Sequence, residues 1–253
     1  MVDLNMDKYD FSDYIYYNVV EHFITLHIWI LLSTLILLHN VINFNKKITN
    51  YFLIHFIFNM YVSFNTFENT LEIIYNPYAV FKTNNYVSFA VVLFHIYHII
   101  YYYKDIKIDE MIHHIWIVFI ILPITWLNYC NIADSSLFFM TGLPGGITYL
   151  LLVLKETKYI SSMTEKYISK HLNMWIRIPG SIIVGYIIFV NAMIATTMFA
   201  TISLVFCSLG CLWNGLYFGS TIISSHALLE EKEKDKIKNK KKKESNDKKL
   251  PNI

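Results

Sequence analysis

Charge is what this chain has least of. Only 16% of its 253 residues are Asp, Glu, Lys or Arg, against 55% hydrophobic and 17% aromatic, and the mean hydropathy is +0.40. A soluble domain carries about a quarter of its residues as charges, so this balance argues against an ordinary soluble fold. Cysteine is nearly as scarce. Cys130, Cys207 and Cys211 have no metal-ligand spacing and two of them share one apolar stretch, so no disulfide framework is expected. No Asn-x-Ser/Thr sequon occurs, and glycosylation leaves no mark of which loops face a lumen. The N-terminal segment holds Asp3, Asp7, Asp10 and Asp13 against a single Lys8, the wrong charge for a cleaved signal peptide. The first apolar segment is therefore expected to stay. Nothing suggests a folded basic surface with base-reading groups, and nucleic acid is not an expected partner.

What is present is a series of long uncharged stretches separated by short polar ones, the pattern of an all-α, polytopic helical membrane protein. Crossing a hydrocarbon core of ~30 Å takes about 20 helical residues. Seven stretches qualify: 19–42, 51–67, 86–103, 111–127, 136–154, 174–195 and 199–223. The second is short and polar, with His55, Asn59, Ser63 and Asn65, and an interfacial helix is the alternative there. The turn between the last two, near Thr196 and Thr197, is inferred from length alone.

The lysines test the count, because cytoplasmic loops collect Lys and Arg. With seven spans and the N-terminus outside, the inner segments hold Lys46, Lys47, Lys104, Lys107, Lys155, Lys158, Lys166, Lys170 and Arg177; the outer ones hold Lys8 and Lys82. This predicts seven transmembrane helices with the C-terminus cytoplasmic, in the endoplasmic reticulum or another intracellular membrane. Six spans with a re-entrant second segment is the alternative. The chain then divides into a polar acidic segment (1–18), a transmembrane domain (19–223) and a Lys-rich cytoplasmic tail (224–253). The tail is polar all round beyond its first turns, and a frayed helix passing into disorder is expected. Contact with anionic lipid is its functional alternative.

Ionisable groups inside a bilayer cost ~2.5–3.5 kcal/mol at a helix centre when charged, and function is the default hypothesis where they occur. Histidine is cheaper because it can be neutral. His22, His27 and His39 fall on the first span, His55 on the second, His95 and His98 on the third, and His113 and His114 on the fourth. His95 and His98 form H-x-x-H on one helical face, suited to an interhelical hydrogen bond or a metal. The H-x-x-x-H and H-x-x-H-H boxes of membrane di-iron enzymes are missing, and no metal is expected. His55 and Asn59, one turn apart, read as interhelical glue.

The stretch 109–123, D-E-M-I-H-H-I-W-I-V-F-I-I-L-P, is more specific. Asp109 lies four residues before His113 and Glu110 four before His114, within reach on a helix. An acid one turn earlier offers each imidazole a partner that fixes its tautomer and raises its basicity. The alternative is a pair at the headgroup interface, satisfied by water, with the acids capping the helix. This run at a cytoplasmic helix entrance resembles the signature of the TLC-domain family, the membrane domain of ceramide synthases and related lipid-homeostasis proteins. The resemblance covers about 51–223 in topology. It implies a multi-helix membrane core in which His113 and His114 correspond to the histidine pair required for N-acylation. By the same resemblance Asp109 or Glu110 orients the pair, membrane lipids are the partners, and acyl-CoA is the co-substrate, with no bound cofactor. Asp134, the only acid shortly after the pair, falls on the opposite side of the membrane.

The second unusual stretch is T-G-L-P-G-G, 141–146, within the fifth span. Gly142, Pro144, Gly145 and Gly146 are expected to break or kink the helix and expose carbonyls, as at substrate-binding sites in transporters. A close helix crossing allowed by small residues is the alternative. Pro123 and Pro179-Gly180 predict further kinks, and neighbouring kinked spans would open a pocket in which His95, His98 and the glycines touch substrate. The leading reading is a TLC-like membrane protein acting on lipids, either as an acyltransferase or as a lipid-binding factor. A transporter or receptor is the alternative. The seventh span has no lysine for a Schiff base, which disfavours a retinal protein.

Overall fold

The computed structural model describes residues 47–78, 86–102, 108–121 and 132–247, with Leu26, Ile30 and Ser33 as isolated positions. The expected first span and its histidines lie outside the described residues. Among the described residues the chain is helical throughout, with no strand. Helix α1 is Lys47–Tyr75, α2 Tyr86–Tyr102 and α3 Ile108–Trp116, which runs on as a π-helical turn, Ile117–Ile121. Helix α4, Ile132–Leu137, widens into a π turn at Phe138–Gly142 and returns to α geometry as α5, Leu143–Glu156. Helix α6, Ser162–Leu172, does the same at Asn173–Arg177 and continues as α7, Ile178–Ile194. Helix α8 runs for 50 residues, Met198–Asp247.

Three of these helical runs are long and apolar enough to cross a membrane: Asp134–Glu156, Ser162–Ile194 and Met198–Ser245. Their surface is inverted relative to a water-soluble bundle. On α7 the large Ile182, Ile183, Tyr186, Phe189 and Met193 are exposed, whereas Ser181 and Asn191 are buried. On α8, Phe199, Ile202, Leu209 and Trp213 point out while Ser203, Ser208 and Asn214 point in. Lipid offers helices no hydrophobic reason to associate, so small and polar residues join Val184, Ile187 and Ile188 at the contacts. Ser208 Oγ donates to the Gly185 carbonyl at 2.7 Å, and Cys211 Sγ approaches the Ser181 carbonyl at 3.5 Å.

Helix α1 shows why the second apolar stretch reads as polar. His55, Asn59, Ser63, Thr66 and Thr70 recur at three- and four-residue spacing and are all buried, while Ile57, Phe64, Phe67 and Leu71 are exposed. It is not a surface helix: it packs against α2, α4 and α5. The hydroxyls of the inward stripe are satisfied within the helix itself. Ser63, Thr66 and Thr70 each donate to the carbonyl four residues earlier, at 2.9, 2.8 and 2.6 Å, which removes most of the cost of burying a hydroxyl.

At Pro144 and Pro179 the helices widen instead of breaking, whereas Pro123 lies outside the described residues. Pro144 and Pro179 each stand two residues after the end of a π turn. A proline has no N–H for the carbonyl four residues back and its ring crowds that carbonyl; a π turn gives the ring room. For Pro144 that carbonyl is Met140, and Arg177 Nη2 donates to it at 2.7 Å. The turn between α7 and α8 falls at Thr196 and Thr197, where Thr197 Oγ1 accepts from the Ala200 amide at 3.2 Å and starts α8. The C-terminal end of α8 stays helical to Asp247 and is exposed as far as Ser245. Lysines and glutamates are good helix formers, and Lys234 to Glu230 (2.7 Å) and Lys236 to Glu233 (2.8 Å) pair at helical spacing.

Candidate functional site

Between α1, α2 and α3 on one side and α5, α6 and α8 on the other lies a cavity of about 380 Å³. One wall is imidazole. His55 comes from α1, His95 and His98 from α2 and His114 from α3, and all four are buried and line the cavity. The H-x-x-H spacing places His95 and His98 one turn apart on the face of α2 that meets α3. His114 lies against both rings, with centroids 4.9 Å from His95 and 4.5 Å from His98.

Hydrogen bonding orders these rings. A neutral imidazole has one N–H and one lone pair. His55 Nδ1 lies 2.7 Å from the Tyr51 carbonyl, and His95 Nδ1 lies 2.7 Å from the Val91 carbonyl. A carbonyl only accepts, so in both rings Nδ1 carries the proton. The lone pair of His55 Nε2 then faces His98 Nδ1 at 3.2 Å, and His98 must donate. The chain of bonds ends on His98 Nε2, left as a bare lone pair. That atom is buried and has no hydrogen-bond partner among the described residues. The tautomers are assigned from this network. Because His55 and His98 bond to each other, they do not converge on one point; among the described residues no group of three or more His, Cys, Asp or Glu is placed to hold a metal ion.

Of the residues singled out from sequence, His95, His98 and His114 meet at this wall, and Gly145 lines the cavity. Gly142 and Gly146 lie against α1 instead: a Cβ on Gly142 would fall 2.9 Å from Ser63 Oγ, and one on Gly146 2.9 Å from Met60 Sδ. Pro144 is buried in the first turn after the π segment. Asp109, Glu110 and His113 occupy α3, and their side chains lie outside the described residues. Asp134 does not line the cavity; it is buried where Asn69 Nδ2 donates to it at 2.7 Å. Asn69 is 14 residues beyond His55 on α1, about 21 Å along the axis.

No family model, curated protein or solved structure matches this chain. The site therefore has to be argued from its own chemistry.

Arg177 and Glu165 are among the lining residues that the sequence did not mark as site residues. Arg177 counted there only as one more inner-side charge, yet it is the chain's single arginine. Glu165 is 1% exposed; Ser169 Oγ donates to its Oε1 at 3.1 Å, and Lys166 Nζ stands 3.7 Å from Oε2. His98 Nε2, Thr148 Oγ1, Glu165 Oε2 and Arg177 Nε belong to lining residues and are buried polar atoms with no hydrogen-bond partner among the described residues. Native interiors satisfy nearly all such atoms, so this cavity wall is suited to the polar groups of a ligand or of water.

Proposed function

We propose that this chain is a seven-span membrane protein, N-terminus outside and C-terminus cytosolic, that admits a lipid to the histidine-walled cavity and transfers an acyl group within it. The observation that carries the reading is the bare lone pair of His98 Nε2, fixed by His55 and in ring contact with His114. A general base must present a lone pair at a defined point, and proton transfer of this kind contributes about 10²–10⁴-fold to rate. The resemblance of the D-E-M-I-H-H run to the TLC-domain signature supports the same chemistry.

The reaction takes a proton from the amine or hydroxyl of an acceptor lipid as that atom attacks the acyl carbonyl of acyl-CoA. The imidazole holds the proton while the tetrahedral intermediate forms. Collapse expels the coenzyme A thiolate, which takes the proton from the imidazolium. Membrane lipid and cytosolic acyl-CoA are the substrates, and an intracellular membrane such as the endoplasmic reticulum is the setting.

Lipid profiling of cells expressing wild type, His113→Ala and His114→Ala at matched levels tests the chemistry. Wild type is expected to shift the acyl-lipid species and His114→Ala to abolish the shift. A shift that survives these two substitutions and also His98→Asn sinks the enzyme reading and favours lipid binding or trafficking. The topology has its own test, because the chain lacks sequons. Asp7→Thr creates one at Asn5 and Lys241→Thr one at Asn239; only the first is expected to be glycosylated. Modification of Asn239, or of neither when the protein reaches the membrane, contradicts the proposed orientation.

A further inference from the structure

The lone arginine points to what the cavity holds. Arg177 stands at the end of the π turn Asn173–Arg177 and lines the cavity. A guanidinium in a membrane-spanning helix is costly, and such residues normally face a partner or a ligand. Its Nη2 donates to the Met140 carbonyl that Pro144 leaves without a helical donor, at 2.7 Å. That bond anchors one edge of the group and uses one of five N–H donors. Nε is buried and has no hydrogen-bond partner, and no carboxylate lies within ion-pair distance, both among the described residues. Glu165, on the same cavity, is 12 residues earlier, about 18 Å along a helix axis.

Gly145 makes room beside the guanidinium. A Cβ there would fall 3.8 Å from Arg177 Nη2 and 2.8 Å from Asn59 Nδ2, so an arginine fork and an amide converge on the space that the missing side chain leaves. Asn59 is one turn from His55 on α1, and Gly145 one turn from Tyr149, whose ring centroid is 4.5 Å from that of His55. The positive group thus lies about one helical turn, roughly 5 Å, beyond the histidine layer. Thr148 Oγ1, buried and without a hydrogen-bond partner among the described residues, borders the same cavity.

We propose that Arg177, with Asn59, binds the oxyanion of an acidic amphiphile, a carboxylate or phosphate whose alkyl chain shares the cavity. The planar fork suits either anion, and both replace the counter-ion that the described residues lack. The inference rests on the proposed function only in taking the cavity to be a lipid site. It does not require acyl transfer.

The test uses the full-length protein in nanodiscs of neutral lipid, with binding read by displacement of a fluorescent fatty acid. Palmitate, lysophosphatidate, palmityl alcohol and inorganic phosphate are the competitors. Palmitate or lysophosphatidate is expected to bind at least tenfold more tightly than the alcohol, and whichever acid wins names the source of the oxyanion. Inorganic phosphate is expected not to compete; if it competes as well as the lipids, the amphiphile claim fails. Arg177→Gln, which keeps an amide donor for Met140 but no charge, should bring acid and alcohol to equal affinity. Arg177→Lys should keep part of the preference. Equal affinities in wild type, or an acid preference unchanged in folded Arg177→Gln, overturn the proposal; should Arg177→Gln not fold, an Arg177→Lys profile identical to wild type does so. Acid binding that persists when lipid profiles show no transfer would remove the enzyme reading and leave this one standing.

Discussion

His98→Asn is expected to lower acyl transfer by about 10²–10⁴-fold while the protein keeps its melting temperature. The asymmetry follows from the two ring nitrogens. Asparagine places its amide near the former Nδ1, so a donor still faces His55 Nε2, which lies 3.2 Å from His98 Nδ1. It has nothing at the former Nε2, the atom that carries the free lone pair. The variant thus separates the bond that holds the network from the atom proposed to act as the base. His98→Ala removes both and should cost stability as well, because burying a polar group whose partner has gone costs about 1–3 kcal/mol.

His55→Leu completes the series. It leaves His98 Nδ1 facing an apolar side chain, so the tautomer that exposes Nε2 is no longer enforced, and activity should fall by less than in His98→Asn. Turnover of a fluorescent acyl-CoA by protein in nanodiscs, read beside thermal melting, checks all three. Wild-type turnover in His98→Asn would show that His98 is not the base and transfer the role to His114, whose ring lies 4.5 Å away.

Much of this wall was legible, and the reason it was not complete is physical. H-x-x-H puts two rings on one face of a helix whatever the tertiary structure, and an acid-led histidine pair at a span entrance is conspicuous against an apolar background. That His55 closes the chain is a contact across 43 residues, and helical periodicity carries no information about which face meets which. Hydropathy also averages around the helix. In α1 the buried stripe of His55, Asn59, Ser63, Thr66 and Thr70 lowers that average, so a helix at the heart of the bundle looks interfacial. The proline stretches show a different limit. Pro144 foretold a carbonyl without a donor at Met140, but whether the helix breaks or widens depends on who supplies that donor. The supplier is Arg177, 37 residues on. Being the only arginine, it carried a compositional signal that a loop-charge count absorbs.

Gly215→Ala is expected to destabilise the helix bundle by about 1–3 kcal/mol. Its new Cβ would lie 2.4 Å from Ser181 Cβ and 2.6 Å from Ser181 Oγ. A Cβ cannot move without its backbone, so α7 and α8 must separate or rotate. Doing so strains the bonds from Ser208 to Gly185 and from Cys211 to Ser181, and it shifts α7 at the end that carries Arg177. Stability and acid binding should therefore fall together, unlike the uncoupled loss in His98→Asn. Gly219→Ala is the control: its Cβ would meet Ile178 Cδ1 and Cγ1 at 2.6 Å, and the end of an isoleucine can turn away. Ser181→Gly removes the atom that Gly215→Ala strikes, so the double variant should recover most of the stability lost by Gly215→Ala, a coupling that independent sites would not show. Thermal melting of the wild type and the four variants in nanodiscs decides it; a Gly215→Ala protein no less stable than Gly219→Ala would mean that the α7–α8 crossing is looser than these contacts require.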